Sequence, residues 1–457
     1  MKIVIRHILI ITFGLITGCG SSSKNPIPQQ PSPVVSEIDS TDKFPAVSED
    51  ELLTIIQKQT FKYFWDFGHP VSGLARERNN NTSGYGNEVV TTGGSGFGVM
   101  AIIVGVDRKF VSRKQGLERI SMIVSFLKNR TQKVHGAFSH WLNGATGDII
   151  PFSEKDNGAD IVETAYLMQG LLTAKEYFNG SDTSEAALRN GITDLWRNVE
   201  WSWFRKSNEE KLYWHYSNNY EWAMNLPVSG WNECLITYIL AASSPTYSIP
   251  KSVYDNCWAS NGAMKNGISY YGVSLPLGPA YGGPLFFSHY SFLGIDPHGL
   301  TDTYANYWDQ VKNHTLINYK YCVDNPKKYK GYSNAVWGLT SSDDNKGYSA
   351  HAPDNDLGII SPAAAVSSLP YTPEESMRAI KFFYYKLGDK IWKDYGFTDA
   401  FSITDKWYGT SYLAIDQGPQ IVMIENYRTG LLWKLLMGNK EIQDGLRKLG
   451  FQSPYLK

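Results

Sequence analysis

Three short stretches of this 457-residue chain place carboxylates where a loop runs into an apolar helix, a position suited to general acid–base chemistry. The first is Asp156-Asn157-Gly158-Ala159-Asp160-Ile161-Val162-Glu163-Thr164, in which Asp156, Asp160 and Glu163 are spaced four and three and share one face if a helix includes them all. Capping offers a competing role: Asp156 as the cap, Asp160 against the positive end of the helix, and Glu163 in an ion pair elsewhere. The second is Ser229-Gly230-Trp231-Asn232-Glu233-Cys234, with one carboxylate at the mouth of a helix otherwise destined for the core. Trp231 would give Glu233 an apolar wall, which raises a carboxyl toward the pKa of a general acid, and capping is again the alternative. The third is Ala414-Ile415-Asp416-Gln417-Gly418-Pro419, followed by Glu425 and Arg428, which at i and i+3 can pair with each other.

Other chemistries find little support. Gly93-Gly94-Ser95-Gly96-Phe97-Gly98 lacks a preceding strand and a following Lys-Ser/Thr, so it reads as close packing at a solvent-facing helix start and not as a phosphate cradle. The nine histidines show no metal-binding spacing, and no metal or cofactor is expected. Asp343-Asp344-Asn345 and Asp354-Asn355-Asp356 could offer oxygens to calcium, but solvated loop carboxylates are the simpler reading. Cys234, Cys257 and Cys322 allow at most one disulfide. The 14 Trp, 29 Tyr and 20 Phe include many rings with a polar rim, which suits sugar faces; His140, Trp141, Trp214, Trp231, Phe286, Trp407 and Tyr408 lie near the acidic motifs.

The elements that must position these residues are helices in pairs. Leu52, Leu53, Ile56, Phe61, Phe64 and Trp65 follow a helical period from Glu49, with Ser48 as cap and Gly68 as stop. Apolar stretches at Phe97–Val106, Ala159–Phe178, Trp231–Ala242, Pro362–Ser368 and Pro419–Leu436 read as buried helices, each followed by an amphipathic or Pro-initiated one. A weaker member runs from Thr301 to Val311. Their starts recur at roughly sixty residues, which predicts an all-α (α/α)6 toroid of six inner and six outer helices. Extended pieces at 136–141 and 212–216 predict minor β-hairpins at the cleft rim. In such a toroid the three acidic helix starts converge at one mouth.

The N-terminus predicts export. Lys2 and Arg6 precede the apolar run Ile8–Ile16, too short for a permanent span, and Ile-Thr-Gly-Cys resembles a bacterial lipobox. Residues 1–18 are therefore expected to be a lipoprotein signal peptide, Cys19 the lipid anchor, 19–48 a Pro/Ser-rich linker, and 49–457 a single catalytic domain. This places the chain on the periplasmic side or surface of a bacterial outer membrane, with membrane contact through the anchor alone. A net charge of −1 without basic blocks argues against nucleic acid as a partner, and a monomer is expected.

Together, Asp-Asn-Gly-Ala-Asp-x-x-Glu-Thr (156–164), Gly-Trp-Asn-Glu (230–233) and Ala-Ile-Asp-Gln-Gly-Pro with Ile-Glu-Asn-Tyr-Arg-Thr-Gly-Leu-Leu-Trp (414–433) resemble the bacterial glucoamylase-like family that includes β-1,2-glucan hydrolases. The likeness runs from about Phe61 to Phe451. The resemblance implies an (α/α)6 barrel and inverting hydrolysis of β-1,2-glucan to sophorose or short oligosaccharides. It carries the acid onto Glu233 and essential roles onto Asp160, Asp156, Glu163 and Asp416. Either Asp416 or Asp160 then activates water, directly or through a substrate hydroxyl, while Asn232, Gln417, Arg76 and the aromatic set orient the sugar. Alternatives are an α-glucan or other glycan hydrolase, a non-catalytic glycan-binding lipoprotein, and a lyase on a uronic-acid polymer, which near-neutral charge disfavours.

Overall fold

The computed structural model describes residues 39–456; the expected signal peptide, Cys19 and most of the linker lie outside them. Fourteen α-helices occur among the described residues: α1 (Glu49–Trp65), α2 (Thr92–Asp107), α3 (Arg113–Asn129), α4 (Ile161–Tyr177), α5 (Thr183–Asn198), α6 (Leu235–Ser243), α7 (Lys251–Val253), α8 (Tyr307–Asp324), α9 (Pro362–Ser367), α10 (Pro373–Tyr385), α11 (Gly388–Ile391), α12 (Ala414–Thr429), α13 (Leu431–Gly438) and α14 (Lys440–Leu449). None is long and apolar enough to cross a membrane. The fold is mostly helical, with small antiparallel hairpins.

Helix boundaries follow local chemistry. Ser48 caps α1 by accepting the Glu51 N–H, and Ser112 with Gln115 forms a reciprocal capping box on α3. The uniformly apolar α2, α4, α6 and α9 are buried on nearly every face, whereas α3, α5 and α10 bury one stripe. α2 lies against both α4 and α12, α9 against α12 and α10, and α3 against α5. Glycine permits the closest of these contacts: a Cβ on Gly96 would stand 2.1 Å from the Tyr166 carbonyl oxygen, and one on Gly170 2.1 Å from that of Gly96. The start of α2 is thus a packing surface as expected, but Thr92–Val106 is buried throughout and not solvent-facing.

Several expectations shift. α4 begins at Ile161, because Ala159–Asp160 is spent in a two-residue strand paired with His215–Tyr216. α6 begins only at Leu235: Gly230 takes φ 79°, and the Asn232 side chain accepts the Cys234 N–H in a turn that holds Trp231 to Glu233 outside the helix. No helix starts at Thr301, since Asp302 accepts the N–H groups of Tyr304 and Ala305; α8 opens at Tyr307 under an Asn306 cap, and the 3-10 turns Leu285–Ser288 and Ser291–Leu293 are the helical segments before it. α12 starts five residues before Pro419 and ends at Gly430, whose φ of 67° separates it from α13. The end of the expected linker lies on the helices: Phe44 stacks on Tyr384 at 4.5 Å, and the Lys43 N–H donates to the Tyr385 carbonyl. All three cysteines at 234, 257 and 322 are free and buried.

Candidate active site

The site is assembled at helix starts and short hairpins. Asp160 is the N-cap of α4; one oxygen accepts the N–H groups of Val162 and Glu163 at 2.9 Å each, and the other accepts the Trp214 indole N–H at 3.2 Å. The strand pairing Ala159–Asp160 to His215–Tyr216 brings His215 beside it. His140 Nδ1 stands 3.3 Å from Asp160 and 3.7 Å from Asp156, and its Nε2 is 3.9 Å from Glu163. His215 Nε2 is 3.4 Å from Asp156 and 3.6 Å from Asp160. Burial opposes a charge on His140, but Glu163, Asp156 and Asp160 outweigh it and hold its pKa well above the usual value. Burial likewise opposes ionisation of Asp160, yet His140 and His215 keep its pKa below the ordinary carboxylate value.

Glu163, one turn into α4, accepts the Gly93 N–H at 2.7 Å; a side chain at Gly93 would strike this carboxylate. Burial pushes Glu163 up to about 7. Glu233 sits in the turn before α6. Its carbonyl accepts from the Ser291 hydroxyl, which in turn accepts the Ile236 N–H and so caps α6 from another segment. Burial, reinforced by the Glu163 and Asp160 charges, raises the Glu233 carboxyl to about 7.

A second acidic group surrounds Asp416 in the first turn of α12. Burial and then Asp399 raise Asp416 well above the usual range, and burial with Asp343 raises Asp399 to about 7. Asp399 accepts the Asp343 N–H at 2.6 Å; Asp343 accepts Arg78 at 3.1 Å through both oxygens and the Ser411 hydroxyl at 2.5 Å. Arg78 also pairs with Glu77 at 2.9 Å. Asp416 Oδ2 and Asp399 Oδ1 are buried with no hydrogen bond to any other protein group, and the two carboxyls lie within hydrogen-bonding reach of each other. Burial raises the Tyr290 phenol, and the charges of Asp416, Glu233 and Glu163 add to the shift.

The structure therefore gathers Asp156, Asp160, Glu163 and His140, and Glu233 lies close enough for the Glu163 and Asp160 charges to raise its carboxyl. Trp214 holds Asp160, half-buried Trp141 adjoins His140, and Phe286 packs on Tyr290 at 5.1 Å. Other expected residues point elsewhere. Trp231 is buried against Phe292 and Tyr307, so Tyr166, whose hydroxyl donates to the Glu233 carbonyl, and Tyr290 stand near Glu233 instead. Gln417 is buried and donates to the Phe397 carbonyl. Arg76 donates to the Phe67 and Asn87 carbonyls. Asn232 serves the turn described above, and Trp407 with Tyr408 forms a separate hairpin with Phe401–Ser402, where Lys390 overlies Tyr408. Asp343 is no solvated loop carboxylate, and neither is Asp356, which is buried and accepts from Tyr321 and Tyr332.

His215, Tyr290, Asp399 and Arg78 were not readable as site residues, and Asp343 stood out only as a loop carboxylate, because each reaches the site by tertiary pairing. Among the described residues, His140, Asp156 and Asp160 are grouped closely enough to hold a cation. Both Asp160 oxygens already accept protein donors, and a protonated His140 balances the carboxylates, so the set fits an ion-paired network better than a metal centre.

Residues 225–440 match a family model described as "Putative glucoamylase". An exo β-1,2-glucooligosaccharide sophorohydrolase (non-reducing end) of Parabacteroides distasonis is 43% identical over 424 residues, 88% of this chain; the chain spans 58% of the length of that curated relative. The crystal structure of an endo-β-1,2-glucanase from Chitinophaga pinensis, in complex with sophorotriose and glucose, is 56% identical with a TM-score of 0.88, covering 90% of this chain and all of that one. A β-1,2-glucanase structure from Parabacteroides distasonis is 42% identical with a TM-score of 0.85, covering 89% of this chain and 60% of that one. Matched over the entire Chitinophaga chain at 56% identity, this protein belongs to the glucoamylase-like family that includes β-1,2-glucan hydrolases.

Proposed function

We propose that the protein is a glycoside hydrolase that cleaves β-1,2-glucan to sophorose or short β-1,2-linked oligosaccharides with inversion, on an (α/α)6 toroid. The observation that carries this reading is the placing of carboxylates at the starts of α4 and α12 and in the turn before α6, in a chain 56% identical to an endo-β-1,2-glucanase over the whole of that protein. Glu233, raised to about 7, retains its proton near neutrality and donates it to the glycosidic oxygen as the bond to the anomeric carbon breaks. Glu163 supports that state through its own charge. Asp416 and Asp399 share a proton, as two adjacent buried carboxyls must, which leaves one carboxylate to take a proton from water directly or through a substrate hydroxyl. The Asp416–Asp399 pair suits the base better than Asp160, whose oxygens are engaged by backbone amides and Trp214. Asp160, Asp156, His140 and His215 then form the polar floor beside Glu163, which the Gly93 N–H holds.

The identities to the Chitinophaga and Parabacteroides glucanases favour β-1,2-glucan over starch as substrate. Incubating the protein with β-1,2-glucan, starch and β-1,3-glucan, and separating products by size, tests this. Short oligosaccharides are expected from β-1,2-glucan alone, and Glu233→Gln lowers their rate of release by roughly 10²–10⁴-fold. Cleavage of starch in preference to β-1,2-glucan, or an unimpaired variant, contradicts the assignment.

The lipobox-like Ile16-Thr17-Gly18-Cys19 supports a further proposal, that the protein is exported and anchored at the outer membrane through Cys19. Metabolic labelling with a fatty acid reports this, the label being lost in Cys19→Ala.

A further inference from the structure

Phe152 has no place in the acid–base network, yet it lies directly upon it. Its ring is 49% exposed, stacks on His140 at 4.0 Å with an interplanar angle of 16°, and meets the edge of Trp141 at 4.9 Å. What sets this ring apart from other exposed hydrophobic side chains is its place against His140 and Trp141 beside the carboxylates. The ring is held in place: the Phe152 and Ser153 N–H groups both donate to the Asp156 carbonyl, and the Asp156 N–H donates back to the Ser153 hydroxyl. The same turn is tied to a neighbouring loop, with Tyr220 donating to Glu154 and Ser217 to Asn157. One face of Phe152 is thus taken by His140, and half of its surface is left to solvent on a fixed turn beside the carboxylates.

Resting on the hydrolase reading above, we propose that Phe152 is a sugar-stacking platform, its free face receiving a glucosyl unit that enters the site beside His140. A pyranose ring offers an apolar face of C–H groups and a hydroxyl rim, which an exposed aromatic ring with polar neighbours satisfies. His140 supports the ring from beneath, and Trp141 supplies the adjoining wall. Phe152 is therefore a binding residue and not a proton carrier, so its loss falls on KM.

The test uses the full chain in two assays. In the first, Phe152→Ala is expected to raise KM for β-1,2-gluco-oligosaccharides about tenfold, with the loss on KM and not on kcat; Phe152→Tyr and Phe152→Trp restore most of it. In the second, retardation of Glu233→Gln in gels holding β-1,2-glucan, starch or β-1,3-glucan is compared with that of Glu233→Gln/Phe152→Ala, and weaker retardation of the double variant is expected. Equal retardation of the two while the wild type still hydrolyses β-1,2-glucan overturns the platform alone. A loss on kcat that Tyr and Trp do not restore points to a structural role and also overturns it. Retardation by another glucan, lost with Phe152, supports the platform while the β-1,2 assignment fails. Retardation by none of the three contradicts both.

Discussion

Glu233 shows how one residue type acquires a task from its setting. Nothing in the side chain distinguishes it from the exposed Glu154; burial in the turn before α6, beside Glu163 and Asp160, raises it to about 7. The sign of the pH effect follows. Below about 7 Glu233 carries the proton it must donate, and above it the protonated fraction falls tenfold per pH unit, so kcat/KM is expected to decline as pH rises through about 7. A pH–rate profile checks this, and a decline already complete near the ordinary carboxylate pKa contradicts it. The carboxylates of the three motifs were legible in the sequence because each stands out against an apolar helix. The alternatives of cap and site residue were not separable there, and Asp160 is an N-cap whose second oxygen lies beside the histidines.

At the level of elements, two helices fix the distance between an amide and a carboxylate. α2 and α4 approach closely enough for the Gly93 N–H to reach Glu163 because Gly96 and Gly170 leave no side chain between the backbones. Gly170→Ala places a methyl group 2.1 Å from the Gly96 carbonyl oxygen and forces the helices apart. It is expected to destabilise the protein by about 1–3 kcal/mol, seen as a lowered midpoint in urea unfolding, and to reduce activity by loosening Glu163. An unchanged midpoint contradicts this account of the packing. The start of α1 at Glu49 under its Ser48 cap was predictable, since caps and stripes are local. α6 and the segment around Thr301 were not, because an Asn232 turn, a Ser291 hydroxyl and the Asp302 turn decide those boundaries.

Across the whole molecule, the catalytic proposal depends on bringing Glu163, Glu233 and Asp416 together from positions 253 residues apart, measured from Glu163 to Asp416. The helical pitch in the sequence pointed to that convergence, but it was silent on the partners that set the chemistry. Arg78, Asp343 and Asp399 reach Asp416 through isolated bridges and short hairpins that carry too few residues to leave a periodic signal. The aromatic lining divided in the same way: Trp214 donates to Asp160 and Trp141 adjoins His140, while Trp231, within a motif, turns into the core. The most direct test of the acid–base account is a proton NMR time course of the new reducing end released from β-1,2-glucan. The α-anomer appearing first, with no comparable signal from Glu233→Gln, is the predicted result; initial release of the β-anomer, or wild-type release by that variant, contradicts it.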